Sequence, residues 1–413
     1  MTEQTNTPEL RFPEFKDEWK LQKLGNLAQF SKGKSLSKKD LNINGNPCIL
    51  YGELYTKYGA ILNKVYSKTS TQNDSLVFSK RNQILIPSSG ETDIDIATAT
   101  AIDTDVKIAI GGDLNIITPI NSDGRFISLY INGKGKYNLA KYAQGKSVVH
   151  LYNSDIKKLN FYLPTNMAEQ KKIGDFFSKL DQQIELEEKR LELLEQQKRG
   201  YMQKIFSQEI RFKDDNGNSY PEWESAPLFD IFSATKGKSL SKDKISNDGK
   251  YECILYGEIY TTYAEKIESI VSRTNYYEGI LSQKNDLIFP NSTTTNAWDL
   301  ATFSSLQKNN VLIGGDISIL RTKRSDISSL FYAYYLTNYL KLRKDIAKYA
   351  QGITIVHLSF NNFCKIKVQI PSLEEQNSIT DFIDSLNQQQ KLITNKIKLL
   401  KERKKGFLQK MFV

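Results

Sequence analysis

Almost every recognisable block of this 413-residue sequence occurs twice, in the same order, at a spacing of about 205 residues. Lys32–Lys38 (KGKSLSK) recurs unchanged at Lys236–Lys242. Cys48–Tyr58 (CILYGELYTKY) returns as Cys253–Tyr263 (CILYGEIYTTY), and Ile110–Ile117 (IGGDLNII) returns as Ile313–Leu320 (IGGDISIL). Lys141–Leu151 (KYAQGKSVVHL) returns as Lys348–Leu358 (KYAQGITIVHL). The leading segments match too: Glu9–Phe12 (ELRF) with Glu209–Phe212 (EIRF), then Trp19 with Trp223. Solenoid repeats have periods of roughly 20–50 residues, so this is a whole unit copied once.

The differences between the copies carry equal weight. Residues 66–81 and 269–284 match poorly, as do 91–107 (ETDIDIATATAIDTDVK) and 294–310 (TTNAWDLATFSSLQKNN). One scaffold is expected to present two different surfaces.

After Pro164 and again after Pro371, short β-like runs give way to a helical period. Ile173, Phe177, Leu180, Ile184, Glu187, Leu191, Leu194, Lys198, Tyr201 and Ile205 alternate steps of four and three, and eight of the ten are apolar. The second copy reads Ile379, Ile383, Leu386, Gln390, Ile393, Ile397, Leu400, Lys404, Phe407 and Met411, again with eight apolar. A 3.5-residue average period makes a seam that supercoils against a partner helix. The obvious partner of each helix is the other, antiparallel about a pseudo-two-fold axis. About 40 residues at 1.5 Å rise span roughly 60 Å, which outruns a ~150-residue domain of about 15 Å radius of gyration. The expected fold is therefore α+β (mixed α/β): globular domains at 1–164 and 207–371, with long helices at 165–206 and 372–413.

Charge points to the kind of partner. The chain carries 57 Lys and Arg against 47 Asp and Glu, a net +10. The excess lies in the globular blocks: 19 basic against 11 acidic residues over 20–164, and 18 against 13 over 226–371. The stretch 165–206 is balanced at 8 against 8. Such placement fits a polyanion, although solvated surface lysine would look the same. Two basic domains on a stiff rod would touch DNA at two separated places, and sites on one face of B-DNA repeat every ~34 Å. Because the surfaces differ, the two half-sites are expected to be unlike.

Other classes fall away. Cys48, Cys253 and Cys364 form no CxxC pair, and the only histidines are His150 and His357, so neither a disulfide framework nor a metal site is expected. No apolar run approaches the ~20 residues of a membrane helix, and the polar start MTEQTNTPELRF has no signal stretch. The chain reads as a cytoplasmic soluble protein with no membrane partner. Gly33-Lys34-Ser35 and Gly237-Lys238-Ser239 imitate the end of a phosphate loop, but Ala28 and Phe232 stand where that loop needs glycine. No Gly-x-Gly-x-x-Gly loop and no Asn/Asp-Pro-Pro-aromatic loop is present; Asn46-Pro47 is followed by Cys48.

The doubled order of these motifs resembles the specificity (S, HsdS) subunit of bacterial type I restriction-modification systems, over essentially the full chain. The features are Pro8–Trp19, Tyr51–Tyr55, Gln144–Leu151 and Pro164–Phe177, with second copies at Glu209–Trp223, Tyr256–Tyr260, Gln351–Leu358 and Pro371–Ile383. The resemblance implies two target-recognition domains, each reading half of a split double-stranded DNA sequence. It implies that the paired helices dock two methyltransferase (M) subunits, which use S-adenosylmethionine to methylate adenine N6. Restriction (R) subunits add ATP-dependent cleavage. It further implies no catalytic residue and no bound cofactor in this chain, with S-adenosylmethionine, ATP and Mg on the partners. The residues alone also fit a free-standing DNA-binding regulator with an intramolecular coiled coil, or a coiled-coil adaptor that binds proteins.

Candidate DNA contacts follow from residue type. Lys32, Lys34, Ser35 and Lys38, with Lys236, Lys238, Ser239 and Lys242, are identical in both copies and suit phosphate contact; a solvated turn is the alternative. Tyr51, Glu53 and Tyr55, with Tyr256, Glu258 and Tyr260, either line the DNA face or form a structural tyrosine corner. Gln144, Lys146 and Ser147, with Gln351 and Thr354, follow Gly/Lys-rich stretches; His150 and His357 fit structural hydrogen bonds better. Base reading is expected from the divergent segments, whose side chains pair with base edges: Arg81, Ser88, Ser89 and Thr92, and Asn291, Ser292, Thr293, Thr294, Thr295 and Asn296.

Overall fold

Two uninterrupted runs of main-chain helix, Met167–Phe206 and Leu373–Lys410, dominate the computed structural model, which describes residues 6–34, 36–62, 64–71 and 75–413. Both helices start where side-chain caps end the preceding strand-like run. Asn166 Oδ1 accepts from Ala168 N at 2.9 Å, and Ser372 Oγ accepts from Glu375 N at 3.3 Å. The chain divides into two units: residues up to Arg190 with Ile393–Val413, and Leu191–Leu392. The division falls near the middle of each long helix rather than at its start. Among the described residues no helix is long and apolar enough to cross a membrane.

The first unit is built on a five-stranded sheet in the order Ala28–Lys32, Leu114–Pro119, Ile84–Pro87, Thr100–Ile102, Ile61–Leu62. Neighbours are antiparallel except the last pair. The second unit repeats this order with Phe232–Lys236, Ile317–Thr322, Asp286–Pro290, Ser304–Leu306 and Lys266–Ile267, again parallel only at the last pair. The central strands Ile84–Pro87 and Asp286–Pro290 are buried along their whole length. Their apolar runs do not alternate because both faces are covered. Helix Gly124–Asn132 and the short helix Tyr51–Thr56 pack on the first strand, and helix Ser329–Asn338 packs on the second. A smaller sheet accompanies each main one, with Asn46–Ile49 and Ala109–Ile110 at its centre in the first unit and Tyr251–Ile254 and Leu312–Ile313 in the second.

Each core includes helix ends. In the first unit Ile173 and Phe177, from the start of one long helix, join Met411 and Phe412, just past the end of the other, around Trp19 and Phe126. In the second, Met202, Ile205 and Phe206 join Ile379 and Ile383 around Trp223 and Phe331. Burying one such side chain contributes about 1.5–3 kcal/mol, so several per unit tie helix to sheet firmly.

Within each unit the helical segments run antiparallel, as the heptad seam predicts. Every seam position is buried or half-buried except Tyr201, whose ring meets Phe382 edge-on at 5.6 Å. In the first unit Leu180 and Ile184 pack with Leu400. The polar exceptions in the seam have partners. Glu187 accepts from Lys396 Nζ at 2.5 Å, and Lys404 pairs with Asp181 at 2.5 Å. In the second unit Lys198, the counterpart of Lys404, donates to Asn387, the counterpart of Asp181. The Lys404–Asp181 pair of the first unit thus recurs as Lys198–Asn387 in the second, so the same register occurs twice, and setting register is the best-attested role for such groups in a helical seam.

Candidate nucleic-acid interface

The KGKSLSK loops leave the edge strands Ala28–Lys32 and Phe232–Lys236 and fold over the IGGD turns. Gly33 N donates to Leu114 O at 2.9 Å and Lys34 N to Ile110 O at 3.2 Å; Gly237 and Lys238 make the same bonds to Ile317 and Ile313. A Cβ on Gly33 would sit 2.0 Å from Gly111 O, and one on Gly237 would sit 2.1 Å from Gly314 O. The glycine of each GKS thus serves close backbone packing, not a phosphate cradle. The packing turns Lys32, Lys34, Lys38, Lys236, Lys238 and Lys242 outward, all exposed. Ser239 is exposed in a left-handed conformation (φ 53°); Ser35 lies outside the described residues.

Beside each loop runs a short helix, Tyr51–Thr56 or Glu258–Thr261. The glutamate of the YGE block belongs to the frame. Glu53 accepts from Leu50 N at 3.0 Å and from Ser67 Oγ, and Glu258 accepts from Leu255 N at 2.8 Å and from Ser272 Oγ. Loop, short helix and IGGD turn together line a groove of ≈ 610 Å³ in the first unit and ≈ 600 Å³ in the second. Tyr51 lines the first groove, and Tyr256 and Tyr260 line the second. Tyr55 is half-buried, and its hydroxyl is held above the ordinary tyrosine range by burial first, then by Tyr51, Glu91 and Asp95. Behind the grooves the thiols of Cys48 and Cys253 are buried and pushed up to about 11, by burial first and then by Glu53 and Glu258 respectively.

The QG…VHL blocks form hairpins. Gln144 N donates to His150 O at 2.9 Å and His150 N to Gln144 O at 2.7 Å, and Gln351 and His357 repeat both bonds at the same lengths. Gly145 and Gly352 turn the chain at φ +121° and +120°, where a Cβ would collide with the main chain opposite. One strand of each hairpin pairs with the residues that lead into a divergent segment: Val149–His150 with Ser89–Gly90, and Val356–His357 with Ser292–Thr293. Ser89 Oγ lies 3.3 Å from His150 Nδ1. Gln144, Lys146, Ser147, Gln351 and Thr354 are exposed along the hairpins. Gln144 also donates to Asp155 at 3.0 Å.

These elements converge. Lys32 Nζ is 5.8 Å from the Tyr152 ring centroid just after the first hairpin, and Asn153 Nδ2 donates to Ser31 O at 3.0 Å. In the second unit Lys236, Asn291, Asp316, Gln351 and His357 line one cavity, with Lys236 3.6 Å from Asp316.

Some expected residues are placed differently. Arg81 does not join the cluster. It precedes strand Ile84–Pro87 while Ser88 follows it, a separation of roughly 20 Å at ~3.3 Å per residue. Its guanidinium is held by Asp103 and Asp105, both at 2.9 Å. The run NSTTTN, which reads as polar without a structural purpose, has several. Asn291 Oδ1 accepts from Ser318 Oγ at 2.7 Å, Thr293 Oγ1 donates to Tyr260 at 3.1 Å, and Asn296 caps helix Ala297–Leu300. Asn291, Ser292 and Thr293 are buried, as is Ser88, so the outward part of the run is Thr294–Asn296. Thr92 is exposed and caps helix Asp93–Ile96.

Trp298 was not singled out by its sequence. It lies in the divergent segment, 38% exposed, with the Arg343 guanidinium 4.4 Å from its ring centroid. A lone tryptophan in an unmatched stretch was the one available signal. Among the described residues no group of three or more His, Cys, Asp or Glu is gathered to hold a metal ion.

Comparison with known proteins matches both copies of the repeat. The family model for the type I restriction modification DNA specificity domain matches residues 16–196 and 220–402. The type I restriction enzyme MjaVIII specificity subunit of Methanocaldococcus jannaschii is 22% identical over 415 aligned residues, covering 92% of this chain and 87% of that protein. The crystal structure of a type I restriction-modification S subunit from M. genitalium superposes with a TM-score of 0.60 at 17% identity, covering 98% of this chain and 99% of the other. A chain from a study of complex assembly and conformational transition in the type I R-M system superposes with a TM-score of 0.57 at 13% identity, covering 94% and 96%.

Proposed function

We propose that this chain, which belongs to the family of type I restriction-modification specificity subunits, reads a bipartite, asymmetric DNA target with one half-site per unit. As a specificity subunit it is the non-catalytic DNA-recognition component of such a system. The observation that carries the bipartite reading is the contrast within the duplication. The stretches that begin at Ser89 and Ser292 differ between copies, yet the same hairpin holds each on the same frame. The identical lysine loops suit sequence-independent phosphate contact, and the unlike segments suit base reading. Two copies of one frame would then read two unlike sequences.

The long helices are proposed to dock two methyltransferase subunits, which bring S-adenosylmethionine for adenine N6 methylation. Restriction subunits would join for ATP-dependent cleavage. Support comes from leucines left in solvent at matching positions of the two helices: Leu186 at 65% and Leu392 at 69%, Leu193 at 58% and Leu399 at 56%. The same apolar residue exposed twice fits two copies of one partner.

The test is to map N6-methyladenine in DNA from cells holding the M subunit with and without this chain. A discontinuous, non-palindromic motif that requires the chain is expected. Methylation by the purified chain unaided, or the same motif without it, would sink the proposal.

A further inference from the structure

The tips of the two hairpins carry a feature that solvation alone does not favour. Val148 and its counterpart Ile355 are 54% and 48% exposed, and Ile353 is 100% exposed. The residue matching Ile353 in the first unit is Lys146. So one frame position, closed by the same glycine turn and the same Gln–His pairing, holds an aliphatic in one copy and a cation in the other. The tips are not loose ends, because each hairpin is locked by a third strand that leads into the divergent segment.

A two-stranded β-ribbon fits the major groove of B-DNA. The apolar group on that edge of the bases is the thymine C5 methyl, while a lysine there pairs with guanine O6 and N7. We infer that position 146/353 determines specificity in the major groove: Ile353 packs on a thymine methyl in the half-site of the second unit, and Lys146 contacts guanine in that of the first. The inference rests on the bipartite reading proposed above and adds to it a position and a chemistry.

The experiment uses the assembled complex of this chain with its M subunits, after its motif has been mapped. Each thymine of the second half-site is replaced singly by deoxyuridine in a synthetic duplex, which removes one methyl and leaves the protein unaltered. Loss of one buried methyl, ~0.8 kcal/mol, weakens binding about fourfold. That loss is expected at one thymine, and it should vanish with Ile353→Ala. The exchange Ile353→Lys should alter the preferred base at that position only, and Lys146→Ile should alter one position of the other half-site only. A second half-site without thymine, or no deoxyuridine effect at any position, overturns the inference while the bipartite reading stands. So does a deoxyuridine effect unchanged in Ile353→Ala. A contiguous or palindromic wild-type motif overturns the bipartite reading itself, and this inference with it.

Discussion

Arg11 grips Glu169 with two hydrogen bonds, Nε to Oε1 at 2.7 Å and Nη2 to Oε2 at 2.8 Å. Trp19 Nε1 donates to the same buried carboxylate at 3.3 Å. Arg211, Glu375 and Trp223 repeat the arrangement in the second unit, with the indole at 2.8 Å. The next residue in each helix completes the joint. Gln170 accepts from Asp123 N and donates to Pro164 O, while Gln376 accepts from Ser328 N and donates to Pro371 O. The leading segment of each copy is therefore clamped to the first turn of a long helix about 160 residues away. The bidentate geometry is the strong form of an Arg–carboxylate contact.

Breaking that clamp should be costly. Glu169→Ala or Glu375→Ala strands a part-buried guanidinium, and removing one partner of a buried pair typically costs about 3–5 kcal/mol. Replacing both Arg211 and Glu375 by methionine should cost much less, because no charge is left behind. Denaturant unfolding of these variants measures this, and equal losses for single and double changes would contradict it.

The lysine loops should set affinity without setting sequence. Lys238→Ala with Lys242→Ala should weaken binding of the assembled complex and leave its motif unchanged. The slope of log K against log salt should fall by about 0.9 for each phosphate that is no longer neutralised. Titration at several salt concentrations, paired with methylation mapping, reads both. An altered motif, or an unaltered slope, would assign these lysines another role.

The exposed leucines should govern assembly. Leu186→Asp with Leu399→Asp, and Leu193→Asp with Leu392→Asp, should lower the number of M subunits bound while the chain stays folded. Light-scattering mass of the complex would show this, and undiminished stoichiometry would place the docking surface elsewhere.

The cysteines should differ in reactivity. Cys48 and Cys253 are buried with thiols at about 11, whereas Cys364 is partly exposed. Iodoacetamide at pH 8 should label Cys364 and spare the other two, since the thiolate is the reactive form. The folded values lie above the ordinary 9.0, so the neutral thiols contribute stability in full below pH 9. That contribution is lost as pH rises through about 11. Peptide mass mapping of labelled chain checks the first point, and a stability profile from pH 8 to about 11.5 checks the second.

How much of this was legible in the sequence depends on the range of the interactions. The seam from Ile173 to Ile205 was readable because helical periodicity is local, and capping by Asn166 and Ser372 moved the expected starts by only one or two residues. The groove was half legible: KGKSLSK, YGE and IGGD were visible as repeats, but their meeting depends on Gly33, after a strand of the main sheet, packing against Gly111, after a strand of the smaller one. Arg81 reads as a base contact because arginine commonly is one, and the sequence alone does not show that it is engaged by carboxylates. Its carboxylate partners Asp103 and Asp105 lie more than 20 residues away and could not be assigned from sequence. The Arg11–Glu169 joint was visible only as two motifs that travel together.

The central claim is that each unit reads its own half-site on a shared frame. It is tested most directly by mapping methylation for a chain in which residues 220–402 are replaced by a second copy of 16–196. Two identical readers predict a motif whose two half-sites carry the same sequence, that of the first half-site. Retention of the original asymmetric motif by this chain would contradict the account.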